Sequence, residues 1–478
     1  MTRPRSGVFA AVDIGASSGR VVAGVVEEDR LELDIVHRFP NGARTIDGRL
    51  RWDLTGLFEQ VLTGLSALAA RYPDVTSIGI DTWAVDYGLL DERGQLLAEP
   101  VAYRDERTNS VIDDVHQRIG PQRLYEITGL QFLPFNTIYQ LAAEQQGPWW
   151  PRMARALLLP DLLGYWLTGR QRTEITNAST TGLLDATTRQ WSSEIFDALA
   201  IPGDVFPPLI EPGEILGPVR VDIAERTGLS PSVSVVAVGS HDTASAVAAV
   251  PMRTAGAAYI SSGTWSLVGV EIDRPVLSEA SRAANFTNEG GVDGRVRYLH
   301  NVMGLWLLSE SIQSWTEDGQ TVDLTRLLAD AAALSGPVGT FDTADPSLLP
   351  PGDMAGRIAA LAGDPVPRSP AEVTRSICES LAAAYAEALD DAERLSGRRI
   401  EVVHVVGGGS QNTLLNQLAA DRCGRPVLAG PVEATAIGNL LVQARTAGLV
   451  EDTLEDLRGL VAKSFSPASY EPTRTSRL

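Results

Sequence analysis

Three short turns rich in glycine and hydroxyl side chains carry the first chemistry that the sequence suggests. Each follows an apolar, strand-like run: Asp13–Arg20 (DIGASSGR), Ser261–Thr264 (SSGT) and Gly407–Ser410 (GGGS). Small residues let backbone amides approach phosphate oxygens, and an aspartate at a strand end, such as Asp13, can hold Mg²⁺ through water. One such turn is typical of an ordinary hairpin, but three of them, each directly after a strand, indicate phosphate binding.

A fourth segment, Ser240–Thr243 (SHDT), lies between a predicted strand and an amphipathic helix. Its Asp242 allows two interpretations. It is either the N-cap of the helix, or a general base that accepts the proton of a substrate hydroxyl as that oxygen attacks a γ-phosphorus. An aspartate with an ordinary pKa of about 3.9 is ionised at neutral pH, as the second role requires. For His241, a structural role as a hydrogen-bonded histidine at a helix start explains the sequence as well as a functional role does.

Charge and composition exclude several classes of protein. The chain has 478 residues, and 60 acidic against 40 basic side chains give a formal charge of −20. This excess argues against broad contact with nucleic acid or an anionic membrane surface. The only lysine in the sequence is Lys463. Walker A ATPases, protein kinases and Schiff-base enzymes each need a functional lysine in a motif or site, and no lysine precedes residue 463, so these three classes are excluded.

The compartment is predicted from what the sequence lacks. The apolar stretch at residues 8–12 is too short for a signal sequence, and no run of about 18 apolar residues predicts a membrane span. The two cysteines, Cys378 and Cys423, fit neither a disulfide framework nor a CxxC metal pair. We therefore expect a cytoplasmic location.

The elements that must position these motifs follow from hydrophobic patterning. An antiparallel meander is predicted over residues 8–39, a helix over 53–72 with Asp53 or Thr55 as N-cap, and a buried strand over 77–81. Residues 100–230, roughly, read as a helical insertion with proline-rich interruptions. The later predictions are strands at 233–239, 257–263, 265–272 and 402–406, a proline- and glycine-rich excursion at 336–370, and helices at 242–250, 370–396, 410–424 and 433–448.

The repeated strand–turn–strand unit indicates two α/β halves. We expect two domains that face each other across a cleft, with the boundary near residue 245.

Taken in order along the chain, the motifs resemble the FGGY family of carbohydrate kinases. The resemblance spans residues 12–439 and is carried by the blocks VDIGASSGR, IDTWAVDYGLLD, PVAYRDERT, LQFLPFNTIYQL, GSHDTASAV, YISSGTWSL, NEGG with NVMGLWLL, VVGGGSQNTLLNQL and AGPVEATAIGN. It implies a two-domain α/β fold of the ribonuclease-H-like type found in actin, hexokinase and Hsp70 ATPases, with an inter-domain cleft. Residues 1–245 would bind sugar and supply the first phosphate turn, and residues 246–478 would bind nucleotide.

The resemblance also implies a reaction. The blocks are most similar to the branch of the family that uses ATP and Mg²⁺ to phosphorylate the C1 hydroxyl of L-rhamnulose in L-rhamnose catabolism. The expected partners are this sugar and ATP, with no nucleic acid and no membrane, and the expected state is a monomer or a homodimer.

Functional residues follow from the resemblance position by position. Asp242 resembles the proton acceptor of the family, and Asp13 resembles the acidic residue that positions Mg²⁺. The residues similar to sugar contacts are Trp83, Ala84, His241, Asp242, Thr243 and Asn301. Those similar to nucleotide contacts are Ala16, Ser17, Ser18, Gly19, Arg20, Thr264, Ser309 and Gly408.

Two positions depart from the pattern of that branch. Ala84 stands where glycine is common and adds a methyl group to the sugar pocket, whereas Ser309 stands where a longer glutamine is common. The alternatives are therefore a kinase of the same family for another ketose or polyol, such as L-fuculose or D-xylulose, and an actin-like ATPase that is not a kinase.

Overall fold

The computed structural model describes residues 6–451 and 453–473, which form two compact units. The first unit contains the described residues up to Pro251, together with Glu271–Tyr298 and Ala434–Ser464. The second unit contains Met252–Val270, Leu299–Glu433 and the described residues from Phe465 onward. The functional boundary near residue 245 stays a prediction. Within the described ranges, no helix is both long and apolar enough to cross a membrane.

The strands are short outside the two main sheets. Those before residue 240 are β1 (Ser6–Ile14), β2 (Ser18–Glu27), β3 (Leu31–Pro40), β4 (Arg44–Ile46), β5 (Arg49–Arg51), β6 (Val75–Thr82), β7 (Tyr87–Leu90), β8 (Arg155–Leu158), β9 (Thr173–Glu174), β10 (Leu184–Asp185), β11 (Gln190–Trp191), β12 (Leu209–Ile210), β13 (Ile215–Pro218) and β14 (Ser234–Val236). Those after it are β15 (Ala257–Ser262), β16 (Trp265–Ile272), β17 (Thr287–Gly290), β18 (Val296–Met303), β19 (Val402–Val406), β20 (Val427–Ala429) and β21 (Ala468–Tyr470).

Helices occupy much of the remaining chain. They are α1 (Leu54–Arg71), α2 (Ile112–Arg118), α3 (Pro121–Thr128), α4 (Thr137–Glu144), α5 (Leu159–Thr168), α6 (Ile175–Ala178), α7 (Ser193–Leu199), α8 (Val221–Thr227), α9 (Asp242–Ala248), α10 (Glu279–Ala283), α11 (Trp306–Glu317), α12 (Leu324–Ala333), α13 (Met354–Leu361), α14 (Pro370–Ser396), α15 (Thr413–Cys423), α16 (Ala434–Thr446) and α17 (Leu454–Ser464).

The first unit is built on a sheet with the strand order β13-β14-β6-β1-β2-β3. Strands β1, β2 and β3 form the predicted antiparallel meander, and β6 runs parallel to β1. Helix α1 packs its apolar face on the sheet and begins after Asp53, whose carboxylate accepts from the Gly56 amide. The predicted helix is therefore confirmed, with Asp53 rather than Thr55 as its N-cap.

The second unit holds β15, β19, β20 and β21, most of β16 and the C-terminal part of β18, in the order β18-β16-β15-β19-β20-β21. Strands β15 and β16 are antiparallel, as predicted, and β19 lies parallel to β15. The alanine-rich helix α14 has the predicted bounds because a capping box between Ser369 and Glu372 starts it and a left-handed Gly397 ends it.

The structure differs from the sequence prediction in several places, including six short strands, β8 to β13, within the predicted helical insertion. The strand predicted over 233–239 is shorter, because after Val236 the backbone of Ala237 bonds the turn before β13 instead. The excursion at 336–370 contains α13, whose N-cap is Asp353. Helix α17 and strand β21 follow the helix that was predicted to be the last clear element.

Candidate functional site

Three carboxylates of the first unit meet where neighbouring strands end. Asp13 on β1 and Asp81 on β6 are register partners in parallel strands, and Thr82 pairs in parallel with His241. The Thr82 amide also donates to the Ser240 carbonyl at 3.0 Å. Asp242, the next residue after His241, is thereby placed at the same edge. The carboxyl ends of parallel strands are where ligands bind in α/β sheets.

The first carboxylate carries a matched counter-charge. Arg20 on β2 is the register partner of Asp13, and its Nε and Nη2 atoms lie 3.0 and 2.7 Å from Asp13 Oδ2. Asp13 is buried and Arg20 is partly exposed. Asp13 and Arg20, which the resemblance assigned to Mg²⁺ and to nucleotide separately, therefore form an ion pair within the first hairpin, and the Arg20 guanidinium points toward the carboxylate.

Asp81 is a member of this cluster that the sequence prediction missed. It is fully buried, and its pKa is raised well above the usual value, first by burial and then by the charges of Asp13 and Asp242. Asn439 Nδ2 donates to Oδ2 at 2.6 Å, whereas Oδ1 is buried without a hydrogen-bond partner among the described residues. The signal was present in the sequence, because IDTW repeats the strand-then-aspartate pattern of VDIG.

The oxygen atoms of this cluster fit a magnesium ion. Mg²⁺ binds one or two carboxylates, keeps several waters and takes further oxygens from phosphate. Asp13 and the partnerless Asp81 Oδ1 are oxygen donors of this kind. The residues present thus match the cation that the resemblance implies.

Asp242 is the first residue of α9, and the N-cap position belongs to His241. The interpretation of Asp242 as the N-cap is therefore wrong. Its Oδ1 accepts from Thr243 Oγ1 at 3.1 Å and lies 3.4 Å from His241 Nε2. Its side chain is about one-third exposed, while His241 and Thr243 are buried. A partly accessible carboxylate with two neighbouring donors is suited to accept a proton from a bound hydroxyl.

The loop after Asp81 is fixed by a buried aspartate. Asp86 Oδ2 accepts from the indoles of Trp52 at 2.6 Å and Trp83 at 2.9 Å, and Gln140 Nε2 donates to Oδ1 at 3.0 Å. Burial raises the pKa of Asp86 to about 6. Sequence reasoning missed Asp86, although it selected Trp83, whose indole orientation this carboxylate sets.

Ala84 lies within this loop and is half-buried. Its carbonyl accepts from the Asp86 amide at 3.0 Å, and the following residue, Val85, has a φ of 68°. Such a φ is a genuine outlier for a β-branched residue. The Val85 carbonyl accepts from Thr137 Oγ1 at 2.7 Å, which helps to hold the loop in this shape.

The first phosphate-type turn is closed by its own backbone. The Gly15 amide donates to the Ser18 carbonyl at 2.9 Å, and Asn41 Nδ2 donates to the Gly15 carbonyl at 2.8 Å. Ser17 and Ser18 are exposed at the tip, next to a half-buried Ala16. A Cβ at Gly19 would lie 2.3 Å from the Phe39 ring, so packing alone requires glycine there.

The second unit contains the other two turns. In the β15–β16 turn, the Gly263 amide donates to the Trp265 carbonyl at 2.8 Å, and the Thr264 carbonyl accepts from the Trp306 amide at 3.1 Å. Thr264 itself is half-buried. The start of α11 therefore braces this turn, and Ser309 lies exposed on the same helix. Asn301, half-buried, lies on β18.

The glycine turn after β19 packs on the end of β15. Gly407 has a φ of 83°, and a Cβ at Gly409 would lie 2.0 Å from Ser262 Oγ. Gly408 differs, because a Cβ there would meet nothing within 4 Å. The turn is a short 3₁₀ helix, Gly408–Gln411, that leads into α15. Of the three glycines, Gly408 is the one that faces open space.

The structure therefore divides the predicted residues between the units. The first unit holds Ala16, Ser17, Ser18 and Gly19 in its turn and brings together Asp13, Arg20, Trp83, Ala84, His241, Asp242 and Thr243 around the strand ends. The second unit holds Thr264, Asn301, Ser309 and Gly408.

Solved structures that share this fold include a gluconate kinase, a xylulose kinase and a glycerol kinase. A gluconate kinase from Lactobacillus acidophilus superposes with a TM-score of 0.79 at 16% identity, covering 98% of this chain and 94% of that one. A xylulose kinase from Rhodospirillum rubrum gives 0.76 at 20% identity, with coverages of 98% and 94%. The glycerol kinase of Plasmodium falciparum, solved with ADP, gives 0.76 at 16% identity, again with coverages of 98% and 94%.

Two family models match the chain in sequence. Residues 8–249 match the N-terminal domain, and residues 258–447 the C-terminal domain, of the FGGY family of carbohydrate kinases. These ranges contain every turn and carboxylate described above, and together they cover most of the 478 residues. The chain therefore belongs to the FGGY family of carbohydrate kinases.

Proposed function

We propose that this kinase transfers the γ-phosphate of ATP to the C1 hydroxyl of L-rhamnulose, the activity of a rhamnulokinase. The observation that carries the reaction type is the partly exposed carboxylate of Asp242 beside two other aspartates at the strand ends. The sugar is inferred from the long sequence blocks around Trp83, His241 and Asn301.

Asp242 accepts the proton of the sugar hydroxyl as its oxygen attacks phosphorus. The transition state of phosphoryl transfer is loose, so this carboxylate mainly orients the nucleophile. Thr243 Oγ1 and the imidazole of His241 hold Asp242 Oδ1 in place. Trp83, fixed by Asp86, forms part of the wall against which the sugar packs.

In this proposal, backbone amides and hydroxyl groups bind the phosphates of ATP. Ser17, Ser18, Thr264 and the open Gly408 supply amides and hydroxyls, since the chain has no lysine to take this role in any of these turns. Asp13 and Asp81 would hold Mg²⁺, which neutralises charge on the transferred phosphoryl group when it is bound. Arg20 orients the Asp13 carboxylate through two hydrogen bonds to Oδ2.

A second candidate is a kinase for another ketose, such as L-fuculose or D-xylulose. Ala84 favours it, because its methyl group narrows the space beside Trp83 relative to glycine. The solved structures named xylulose kinase share the fold at 20% identity or less and leave the substrate open.

A competition panel tests this proposal. Purified protein with MgATP is assayed for ADP release with L-rhamnulose, L-fuculose, D-xylulose, glycerol and no acceptor. We expect the largest kcat/KM with L-rhamnulose and only slow release without acceptor. A larger kcat/KM with another ketose would overturn the substrate assignment. Turnover that ignores every acceptor would overturn the proposal that this chain phosphorylates a sugar.

A further inference from the structure

A buried arginine of the first unit contacts the histidine next to the proposed base. Arg297, on β18, has no exposed side-chain surface. Its Nη1 lies 3.0 Å from Glu289 Oε2, and its Nε donates to the Gly290 carbonyl at 2.9 Å. The ion pair and the hydrogen bond offset part of the cost of burying this charge. Its Nη2 lies 3.1 Å from His241 Nδ1.

This contact determines which nitrogen of the imidazole carries hydrogen. A guanidinium in a protein is always protonated and can only donate hydrogen bonds. Nδ1 of His241 must therefore accept, which places the ring hydrogen of the neutral imidazole on Nε2. The opposite tautomer would direct Nδ1–H toward Glu289 Oε2, which is farther away at 3.4 Å, and would set two N–H groups against each other at 3.1 Å.

The Nε2 atom faces the proposed base, because it lies 3.4 Å from Asp242 Oδ1. We propose that Arg297 is a positioning residue that holds His241 in the Nε2–H tautomer, so that the single ring N–H faces Asp242 and is available to a sugar oxygen bound beside it. Asp242 is then the only proton acceptor of the His241–Asp242 pair. The part of this inference that concerns the sugar rests on the proposed function, whereas the tautomer does not.

The tautomer can be read directly from the unmodified protein. Protein labelled with ¹⁵N-histidine, without nucleotide or sugar, gives a long-range ¹H–¹⁵N spectrum, in which His241 is identified among the five histidines by its loss in His241→Asn. We expect an unprotonated Nδ1 and a protonated Nε2. A protonated Nδ1 would overturn the proposal. This result does not depend on which sugar is phosphorylated.

Substitution of the arginine tests its role. In Arg297→Gln we expect a mixture of tautomers and roughly a tenfold loss in kcat/KM for the sugar, with the KM for ATP unchanged, since about one hydrogen bond to a charged group is lost. Arg297→Lys should restore the Nε2–H signal, at least in part. An unchanged tautomer in folded Arg297→Gln would overturn the role of Arg297.

Arg295 provides the matched control. It lies two residues before Arg297 and is partly exposed, with ion pairs to Asp273 and Glu455. Arg295→Gln should leave the His241 signals and the sugar kinetics as in the wild type. If it changed the tautomer as Arg297→Gln does, a general effect of charge removal would replace the specific role. If Arg297→Gln does not fold, the wild-type spectrum still decides the tautomer.

Discussion

The β1–β2 turn and the β15–β16 turn share one design but differ in charge. In the first, Asp13 and Arg20 are register partners and form a partly buried ion pair. In the second, the register partners are Ser262 and Ser266, and Ser266 Oγ bonds the buried Tyr385 hydroxyl at 2.6 Å. The same strand–turn–strand element thus supplies charge in one unit and neutral hydrogen-bonding groups in the other. We infer that metal and proton chemistry belong to the first unit, and that the second unit contributes to nucleotide binding through uncharged side chains and backbone amides only.

The largest effect is expected from removing the proposed base, Asp242, in the first unit. Asp242→Asn should lower kcat by a factor of about 10² to 10⁴, the usual contribution of a general base. Nucleotide affinity, measured by calorimetry, should change little if the uncharged turns of the second unit bind the nucleotide. Asp222→Asn is the control, because Asp222 is an exposed aspartate in the first turn of α8 and pairs with Arg220. Unchanged turnover in Asp242→Asn would remove Asp242 from the chemistry.

Asp86 tests whether a buried carboxylate of the first unit makes the free energy of unfolding depend on pH. Its pKa is raised from near 3.8 to about 6, so between these values the folded state holds a proton that the unfolded state releases. The contribution of Asp86 to stability therefore increases as the pH falls from 7 to 4, by roughly 3 kcal/mol in total. Asp86→Asn should lose this increase.

Urea unfolding of the wild type and Asp86→Asn at pH 7, 5.5 and 4 measures the difference. Comparing the two proteins at each pH cancels the contributions of the other buried carboxylates. A difference in the free energy of unfolding that stays constant with pH would show that folding does not raise the pKa of Asp86.

Asp13 probes the cation site of the charged turn. Asp13→Asn removes one negative oxygen donor and the partner of Arg20, so we expect the Mg²⁺ concentration for half-maximal turnover to rise roughly 10- to 100-fold. A magnesium titration at fixed ATP measures it. The same magnesium requirement in both proteins would separate Asp13 from the metal.

The smallest effects are expected from alanine substitutions of two adjacent glycines in the turn after β19 of the second unit, Gly408 and Gly409. Gly409→Ala places a methyl group against Ser262 and should destabilise the protein by about 1–3 kcal/mol, because packed backbone must move. Gly408→Ala meets open space and should leave the unfolding midpoint unchanged while raising the KM for ATP several-fold. Equal nucleotide kinetics in Gly408→Ala and the wild type would contradict a phosphate contact at Gly408.

The sequence predicted the local elements of both regions but not their buried partners. The hairpins, α1 and α14 follow from hydrophobic period and from caps that lie within a few residues. The partner of Asp81 is Asn439, 358 positions away, and Arg297 is 56 positions from His241. Such pairs depend on sheet register and on where α16 and β18 pack, which no local pattern encodes.

Glycine illustrates the same limit. Gly19 and Gly408 were both assigned to nucleotide binding by motif, and the residue type is identical. The structure separates them, because Phe39 occupies the space beside Gly19 and nothing occupies the space beside Gly408. A glycine required by the packing of a distant side chain and a glycine required by the approach of a ligand look the same in a sequence.

The most direct measurement is the identity of the product made by the wild-type protein from MgATP and L-rhamnulose. A two-dimensional ¹H–³¹P correlation spectrum reports which protons couple to the new phosphate. We expect a sugar phosphomonoester whose phosphorus correlates with the C1 methylene protons, formed in equal amount with ADP. Inorganic phosphate alone, or phosphate on another carbon, would contradict the proposed transfer to the C1 hydroxyl.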